Sequence, residues 1–333
     1  MHILLTGGTG YIGSNVAIAF LQSGHSVSIF DNLSNSDASV VKKISKIANC
    51  EVTFYEGDIR DKERLEFVFN AERIDAVVHF AGLKSVEESS RNPLKYYDNN
   101  VSGTINLLGV MNDYEVKKLI FSSSASVYGS PKRLPLDERA SVNPVSIYGK
   151  TKLAVEKIMS DLSSSDDDWK FIFLRYFNPV GAHKSGLIGE VPSGVPNNLV
   201  PYITDVLSGK RKFLQVFGKD YTTADGTGVR DYIHIEDLAT GHLAAVDFLN
   251  TQFNSPEIFN LGTGEGYSVL EVISSCEKAA GTVLKYKFVG RREGDTSECY
   301  AEVSKARNLL HWEAQRTLDE MCLSAVKFAF DNQ

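Results

Sequence analysis

Tyr148 and Lys152, in the stretch Ser146-Ile-Tyr-Gly-Lys-Thr-Lys152, are the residues of this sequence best suited to moving a proton. Behind Pro144 the apolar residues Leu153, Ile158, Met159 and Leu162 recur at helical spacing, so side chains 148 and 152 should leave one helix face a turn apart. A free phenol titrates near pKa ~10 and is a poor base at neutral pH. An ammonium close by favours the phenolate and lowers that value. Such a pair can take a proton from a substrate hydroxyl or return it. By itself Tyr-x-x-x-Lys also describes a solvated helix face, so its meaning depends on the rest of the chain. Ser124 is the third candidate. Leu119–Ser123 reads as a strand, which puts Ser124 at a strand C-terminus, where open α/β sheets bind ligands; a serine run is otherwise turn chemistry.

The elements that must position this trio start at the N-terminus. His2–Thr6 is a short apolar run, followed at once by Gly7-Gly-Thr-Gly10-Tyr-Ile-Gly13. A helix pattern then runs through Ile12, Val16, Ala19 and Phe20 to a capping Gly24, and a second strand, Ser26–Phe30, ends at Asp31. This is a βαβ unit with glycines in its first turn and an acid after its second strand, the pattern of a dinucleotide site. Gly7 permits the tight turn, Gly10 lets the backbone approach a pyrophosphate, and Gly13 lets the helix lie close to the sheet. Free amides at the helix start attract phosphate charge. The Asp31 carboxylate would accept hydrogen bonds from a ribose diol but repel a 2′-phosphate. Asn32, Leu33, Ser34, Asn35 and Ser36 bring no arginine to receive one, so NAD is expected rather than NADP.

The totals set the frame. With 333 residues, 43% hydrophobic and 23% charged, the chain suits one large or two modest globular domains. A net charge of −7 argues against a nucleic-acid partner. No apolar run is long enough to span a membrane, and nothing like a signal peptide precedes the first strand. Cys50, Cys276, Cys299 and Cys322 lie far apart without metal-ligand spacing; no metal is expected, and reduced thiols in the cytoplasm are the plain expectation.

Further strands are expected at Glu51–Tyr55, Asp75–Phe80 and Phe171–Tyr176. Asp58 is placed to face an adenine amino group, to cap the helix starting near Lys62, or to do both. Ala81 and Gly82 leave room for a cofactor beyond the strand end, and Lys84 is placed to reach its phosphates or ribose. Past Asn178 the βα alternation weakens, and residues 183–196 are rich in Gly and Pro. Helices are expected near 199–208, 235–249, 269–280, 303–310 and 318–330, with strands near 258–261 and 284–288. Arg230 and Arg292 fall in loops and suit bidentate phosphate contacts; surface salt bridges are the bland alternative. The expectation is an α/β protein: a Rossmann-type doubly wound parallel sheet over residues 1–178, and a smaller, partly interleaved mixed α/β substrate domain over 179–333. Part of about 231–262 should return to the first domain.

With these residues assembled, the chain resembles the extended short-chain dehydrogenase/reductase family, and within it the UDP-hexose 4-epimerase branch, over nearly its whole length. The stretches that carry the resemblance are Thr6–Ser14, His79–Lys84, Tyr96–Val101, Phe121–Gly129, Leu174–Ala182, Asp225–His234 and Arg291–Asp295; the first and fourth are widely shared, the last three more particular. The resemblance implies NAD contacts from Tyr11, Ile12, Asp31 to Ser36, Asp58, Ile59, Phe80, Lys84, Asn99 and Phe177. It implies UDP-sugar contacts from Asn178, Asn198, Leu199, Gln215, Val216, Phe217, Arg230, Arg292 and Asp295. It implies a reaction in which Tyr148 takes the proton from the sugar O4 while C4 gives a hydride to NAD. Ser124 would bond the same oxygen, Lys152 would hold the nicotinamide ribose, and the keto sugar would turn before the hydride returns. UDP-galactose and UDP-glucose are the implied substrates.

The related 4,6-dehydratases carry Asp-Glu where this chain has Ala125 and Ser126, which disfavours elimination. A reductase of the same family, or a module that only holds NAD, is the other alternative, and the second would have no use for Ser124, Tyr148 and Lys152. Family members differ at Cys299, where a small residue leaves space beside the sugar 2-position, so UDP-GalNAc and UDP-GlcNAc are expected substrates too. The resemblance also implies a homodimer, built from the helix around Tyr97–Met111 and the Ser146–Leu162 helix. Leu107, Leu108, Met111, Ala154, Ile158 and Met159 would be its contacts or else internal core.

Overall fold

The structure is a computed structural model that describes residues 1–131, 133–192, 194–292 and 295–332. Ser193 of the Gly/Pro-rich stretch, and Glu293 and Gly294 of the Arg291–Asp295 loop, lie outside the described residues. The chain divides into two compact units. The first comprises Met1–Ser130, Ser141–Tyr176 and His242–Phe259; the second comprises Pro131–Ala140, Phe177–Gly241 and Asn260 onward. A boundary at residue 178 does not express the Pro131–Ala140 segment, and the returning segment begins at His242.

The first unit opens with β1 (His2–Thr6), α1 (Tyr11–Gln22), β2 (Ser26–Asp31), α2 (Ser39–Ala48), β3 (Thr53–Glu56), α3 (Lys62–Ala71) and β4 (Ala76–His79). It continues with α4 (Val86–Arg91), α5 (Pro93–Tyr97), α6 (Gly103–Asp113), β5 (Lys118–Ser124), α7 (Ile147–Ser165) and β6 (Lys170–Tyr176). The strands pair in the order β3-β2-β1-β4-β5-β6, each neighbouring pair parallel. The strand Glu257–Leu261 closes the sheet as the seventh, beside β6. The order reverses between β1 and β4, which makes the C-terminal ends of these strands the place for a ligand. Helices cover both faces, so the strands read as continuous apolar runs: Ile3, Leu4 and Leu5 are fully buried. Leu4, Val77, Leu119, Phe121, Phe171 and Phe173 pack against Val68, Phe69, Leu107, Leu108, Met111 and Met159, each full burial contributing roughly 2–3 kcal/mol.

Alternatives left open by the sequence are decided here. Asp58 does not cap α3; Asp61 does, its carboxylate accepting Arg64 N at 3.0 Å. The helix expected over 97–111 forms, running from α5 through a wider π-type turn at Asp98–Ser102 into α6. Leu107, Leu108, Met111 and Met159 are buried in the unit's own core and cannot also be a dimer surface.

The second unit holds β7 (Asn178–Val180), α8 (Leu199–Leu207), β8 (Leu214–Phe217), β9 (Val229–Arg230), β10 (Tyr232–His234) and the first half of α9 (Ile235–Phe248). After β11 (Glu257–Leu261) come β12 (Tyr267–Ser268), α10 (Val269–Ala280), β13 (Tyr286–Val289), β14 (Glu298–Cys299) and α11 (Leu318–Asp331). Its small sheets pair β10 with β7, β9 with β12 and β14, and β8 with β13. A separate core of Val200, Ile203, Leu214, Val216, Ile273, Cys276, Met321 and Cys322 joins them to α8, α10 and α11. The helix expected near 303–310 ends in a π-type turn at Ala306–Leu310, closed by His311 in the left-handed region (φ 51°).

Candidate active site

α7 starts where Ser146, in extended conformation, accepts Gly149 N at 3.0 Å, an N-cap that fixes the phase of the helix. One residue on, Tyr148 is half-buried, and its N–H donates to Ser89 Oγ of α4 at 3.1 Å. Its phenol lies near enough to Ser124, at the end of β5, for that hydroxyl to favour ionisation, while Ser124 Oγ donates to Ser126 Oγ at 3.1 Å. A turn later, Lys152 is buried; its Nζ donates to the Ser122 carbonyl at 2.6 Å, lies 4.7 Å from the Phe121 ring centroid and 5.9 Å from that of Tyr148. The three expected residues are therefore together.

Their electrostatics depart from the expectation. Burial pushes the Tyr148 phenol up from its ordinary value, and the Ser124 hydroxyl pulls the other way. Burial also lowers Lys152 to about 8, opposed by the charge of Glu156. The ammonium is engaged by a carbonyl and lies against ring faces, so desolvation of the phenol outweighs it.

The nucleotide half of the site is continuous with this trio. Gly7 has φ +72°, and a Cβ there would stand 2.6 Å from Ala81 N. Next to Ala81, a Cβ on Gly82 would lie 3.6 Å from Lys152 Nζ. The glycine turn, the exit of β4 and Lys152 thus form one surface. At the start of α1 the N-cap is Gly10, with no side-chain cap and no acidic residue in the first turn. A Cβ on Gly10 would meet only Gly7 O, at 3.3 Å, so the space above the turn is open. Asp31 is buried at the end of β2 and accepts Thr9 N at 3.1 Å and Leu33 N at 2.9 Å. Leu33 takes φ 57° to turn the chain, and Ser36 Oγ meets Thr9 Oγ1 at 2.6 Å. Asp58 accepts Asn32 Nδ2 at 2.9 Å and pairs with Arg60, which holds its carboxyl far below the usual range.

Uncapped amides, an open glycine turn and a carboxylate with acceptor capacity to spare are the donor and acceptor set NAD requires. Ser34 and Asn35 are exposed on the turn and Lys84 is exposed after β4. Ile59 is buried in the core, so only its backbone can serve a ligand. The Phe80 ring lies 5.2 Å from that of His242, tilted by 45°, and Asn99 Nδ2 donates to Asn100 Oδ1 at 2.9 Å.

In the second unit, Arg230 pairs with Asp295 at 3.3 Å and stands opposite Cys299 in the β9–β14 register. The Arg292 guanidinium lies 4.5 Å from the Phe217 ring centroid. Gln215 is half-buried beside Val216, which is buried in the core. Asn198 precedes α8 and donates to Glu190 at 2.7 Å, with Leu199 half-buried after it. Phe177 is buried, and Asn178 N donates to Asp231 O at 3.0 Å. Burial pushes the Cys299 thiol up to about 11.

Residues 3–262 match the model of the NAD-dependent epimerase/dehydratase family. The chain belongs to that family. It is 49% identical to the UDP-glucose 4-epimerase of Bacillus subtilis over 333 residues, 100% of this chain and 98% of that one. Among solved structures it is similar to the UDP-glucose 4-epimerase of Bifidobacterium longum in complex with NAD+ and UDP (TM-score 0.97, 47% identity, 100% and 99% of the two chains). It is equally similar to that of Stenotrophomonas maltophila with bound NAD and formylated UDP-arabinopyranose (TM-score 0.97, 48% identity, 99% and 98%).

Within an epimerase/dehydratase site, residues that the motifs did not single out hold the ones that they did. Asn100 is buried, accepts Leu83 N at 2.8 Å and donates to Leu83 O at 3.0 Å and Thr151 Oγ1 at 3.1 Å, so it ties the Ala81–Lys84 loop to α7. His79 is buried between Thr6 and Thr104. An Asn-Asn pair and a histidine inside an apolar strand were visible in the sequence, but nothing there said what they would face.

Proposed function

We infer that the chain interconverts UDP-galactose and UDP-glucose by transient oxidation at C4 and return of the hydride to the opposite face. The observation that carries this reading is the Ser124–Tyr148–Lys152 cluster contiguous with an open glycine turn, in a chain this similar to curated epimerases. NAD, when bound, supplies the acceptor and donor of that hydride and adds a positive charge to the site. Asp31 accepts the adenosine ribose hydroxyls, the first turn of α1 receives the pyrophosphate, and Asp58 with Asn32 borders the adenine. Lys152 holds the nicotinamide ribose. Tyr148 takes the O4 proton and gives it back, with Ser124 hydrogen-bonded to the same oxygen. Arg230, Arg292 and Phe217 anchor UDP, so binding resides in the nucleotide while the keto hexose turns. Ala125 and Ser126, in the turn after β5, offer no carboxyl group for elimination.

The small Cys299 side chain extends the reading to UDP-GalNAc and UDP-GlcNAc. All four cysteines are free, as a reducing cytoplasm would keep them, and no helix among the described residues is long and apolar enough to cross a membrane. A homodimer is supported by apolar side chains other than those expected: Leu94 is 83% and Ile105 50% exposed, on α5 and α6. Wild type should sediment as a dimer and Leu94→Glu/Ile105→Glu as a monomer; a monomeric wild type at all concentrations discards that part.

The activity is tested by incubating purified protein with UDP-galactose or UDP-GalNAc without added NAD. The 4-epimers should form, and denaturation should release dinucleotide. Turnover only with external cofactor would identify an ordinary dehydrogenase instead.

A further inference from the structure

Glu156 lies a further turn along α7 from Lys152, so residues 148, 152 and 156 form one stripe. Each faces one of three consecutive serines at the end of β5. Tyr148 meets the Ser124 hydroxyl, Lys152 the Ser122 carbonyl at 2.6 Å, and Glu156 the Ser123 hydroxyl at 2.5 Å. Glu156 is 4% exposed and Arg175 of β6 3%. The guanidinium grips the carboxylate with both arms, Nε to Oε1 at 3.0 Å and Nη2 to Oε2 at 2.6 Å. Arg175 in turn covers the Tyr128 ring at 4.8 Å. Burying two charges costs several kcal/mol in desolvation, and apolar residues would often fill such a place as well or better. The pair therefore calls for a purpose other than stability, and the group one turn back along α7 from Glu156 is Lys152.

We propose that Glu156, clamped by Arg175 and Ser123, is a positioning residue that keeps Lys152 in its ammonium form and locks α7 in register with the serines of β5. The claim rests on the reading of Tyr148 and Lys152 given above. Lys152 is buried, which works against its charge, and the Glu156 carboxylate is what raises it. Other titratable neighbours do not replace it. His79 on β4 is buried and neutral, its own protonation opposed by Lys152. Tyr148 and Tyr176 are both pushed up and uncharged at neutral pH. Arg175 is spent on Glu156. Glu88 of α4 is bonded to Lys95 and Tyr96 of α5, and Asp98 to Arg60.

The test compares pH–rate profiles of the NAD-loaded enzyme with Glu156→Gln, Glu156→Gln/Arg175→Met and Glu156→Asp. The double variant removes both charges, so no unpaired ion is left buried. Loss of the carboxylate should move the alkaline limb of kcat down by about one pH unit in either Gln variant that folds, with KM for UDP-galactose within about twofold. Glu156→Asp should restore most of the limb. An unmoved limb in the double variant, whatever its rate or melting temperature, would overturn the proposal, and so would failure of both Gln variants to fold, which would make the carboxylate purely structural. Tyr148→Phe separates the premises: full activity there sinks the proton-transfer reading itself, whereas an inactive Tyr148→Phe beside an unmoved Gln limb sinks only the role of Glu156.

Discussion

A phenol can serve as a base only if something offsets the cost of charging it where it is buried. In this structure burial holds Tyr148 protonated, and Ser124 is the group that favours its ionisation. The positive charge of bound NAD is then part of the chemistry, and Lys152 has to stay an ammonium to share in it. Spacing alone put Tyr148 and Lys152 on one helix face, because a helix repeats its face every three to four residues, but the glycine turn and Asp31 were needed to give the pair a meaning. Glu156 obeys the same spacing, yet a glutamate in an amphipathic helix ordinarily points to water, and only the fold shows that this one is buried against Arg175. At Cys299 the matter is size. Cys299→Tyr is expected to lower kcat/KM for UDP-GalNAc by about a hundredfold or more while UDP-galactose stays within a few-fold. Equal losses for both sugars, read from steady-state kinetics, would show that the wall at 299 does not discriminate between them.

At the scale of elements, glycines decide where α1 can lie. A Cβ on Gly13 would stand 2.5 Å from Gly7 O and 2.7 Å from Gly8 Cα, backbone atoms that cannot step aside without reshaping the turn. Gly13→Ala should therefore destabilise the protein by about 1–3 kcal/mol and reduce the dinucleotide that copurifies. Urea unfolding and release of bound nucleotide measure the two, and a stable variant with full NAD content would contradict the close packing of helix on sheet. The strand–glycine–helix–acid pattern was readable because its turn demands these residue types. The cap of α3 was harder: Asp58 and Asp61 are both good caps, and only the geometry of the chain leaving β3 selects Asp61. The helix over 97–111 was readable, but no residue announces the π-type turn inside it; Asp98–Ser102 simply adopts the wider turn.

At the scale of the molecule, the doubly wound sheet followed from alternating apolar runs and helix patterns, and even the late strand β11 could be read as a return to that sheet. The second unit was less legible, because two-residue strands such as β9, β12 and β14 carry too few side chains to show alternation. Both units bury neutral histidines. Burial lowers His79 to about 3 and His234 to about 4, from 6.5. Between those values and 6.5 the unfolded chain binds more protons than the folded one, so stability falls as pH drops through that window. At pH 5 each histidine accounts for about 2 kcal/mol of that loss. Urea unfolding at pH 7, 6 and 5 should show the decline, with a shallower slope for His79→Gln; a flat profile from pH 7 to 5 would mean that these histidines already accept protons in the fold.

The fate of the hydrogen on C4 tests the proposed chemistry most directly. UDP-galactose carrying deuterium at C4 should yield UDP-glucose with the deuterium still on C4 and none lost to solvent, since the atom leaves as hydride within the closed cycle and returns. Product in which C4 has exchanged with water would contradict transient oxidation and point to proton abstraction at carbon instead.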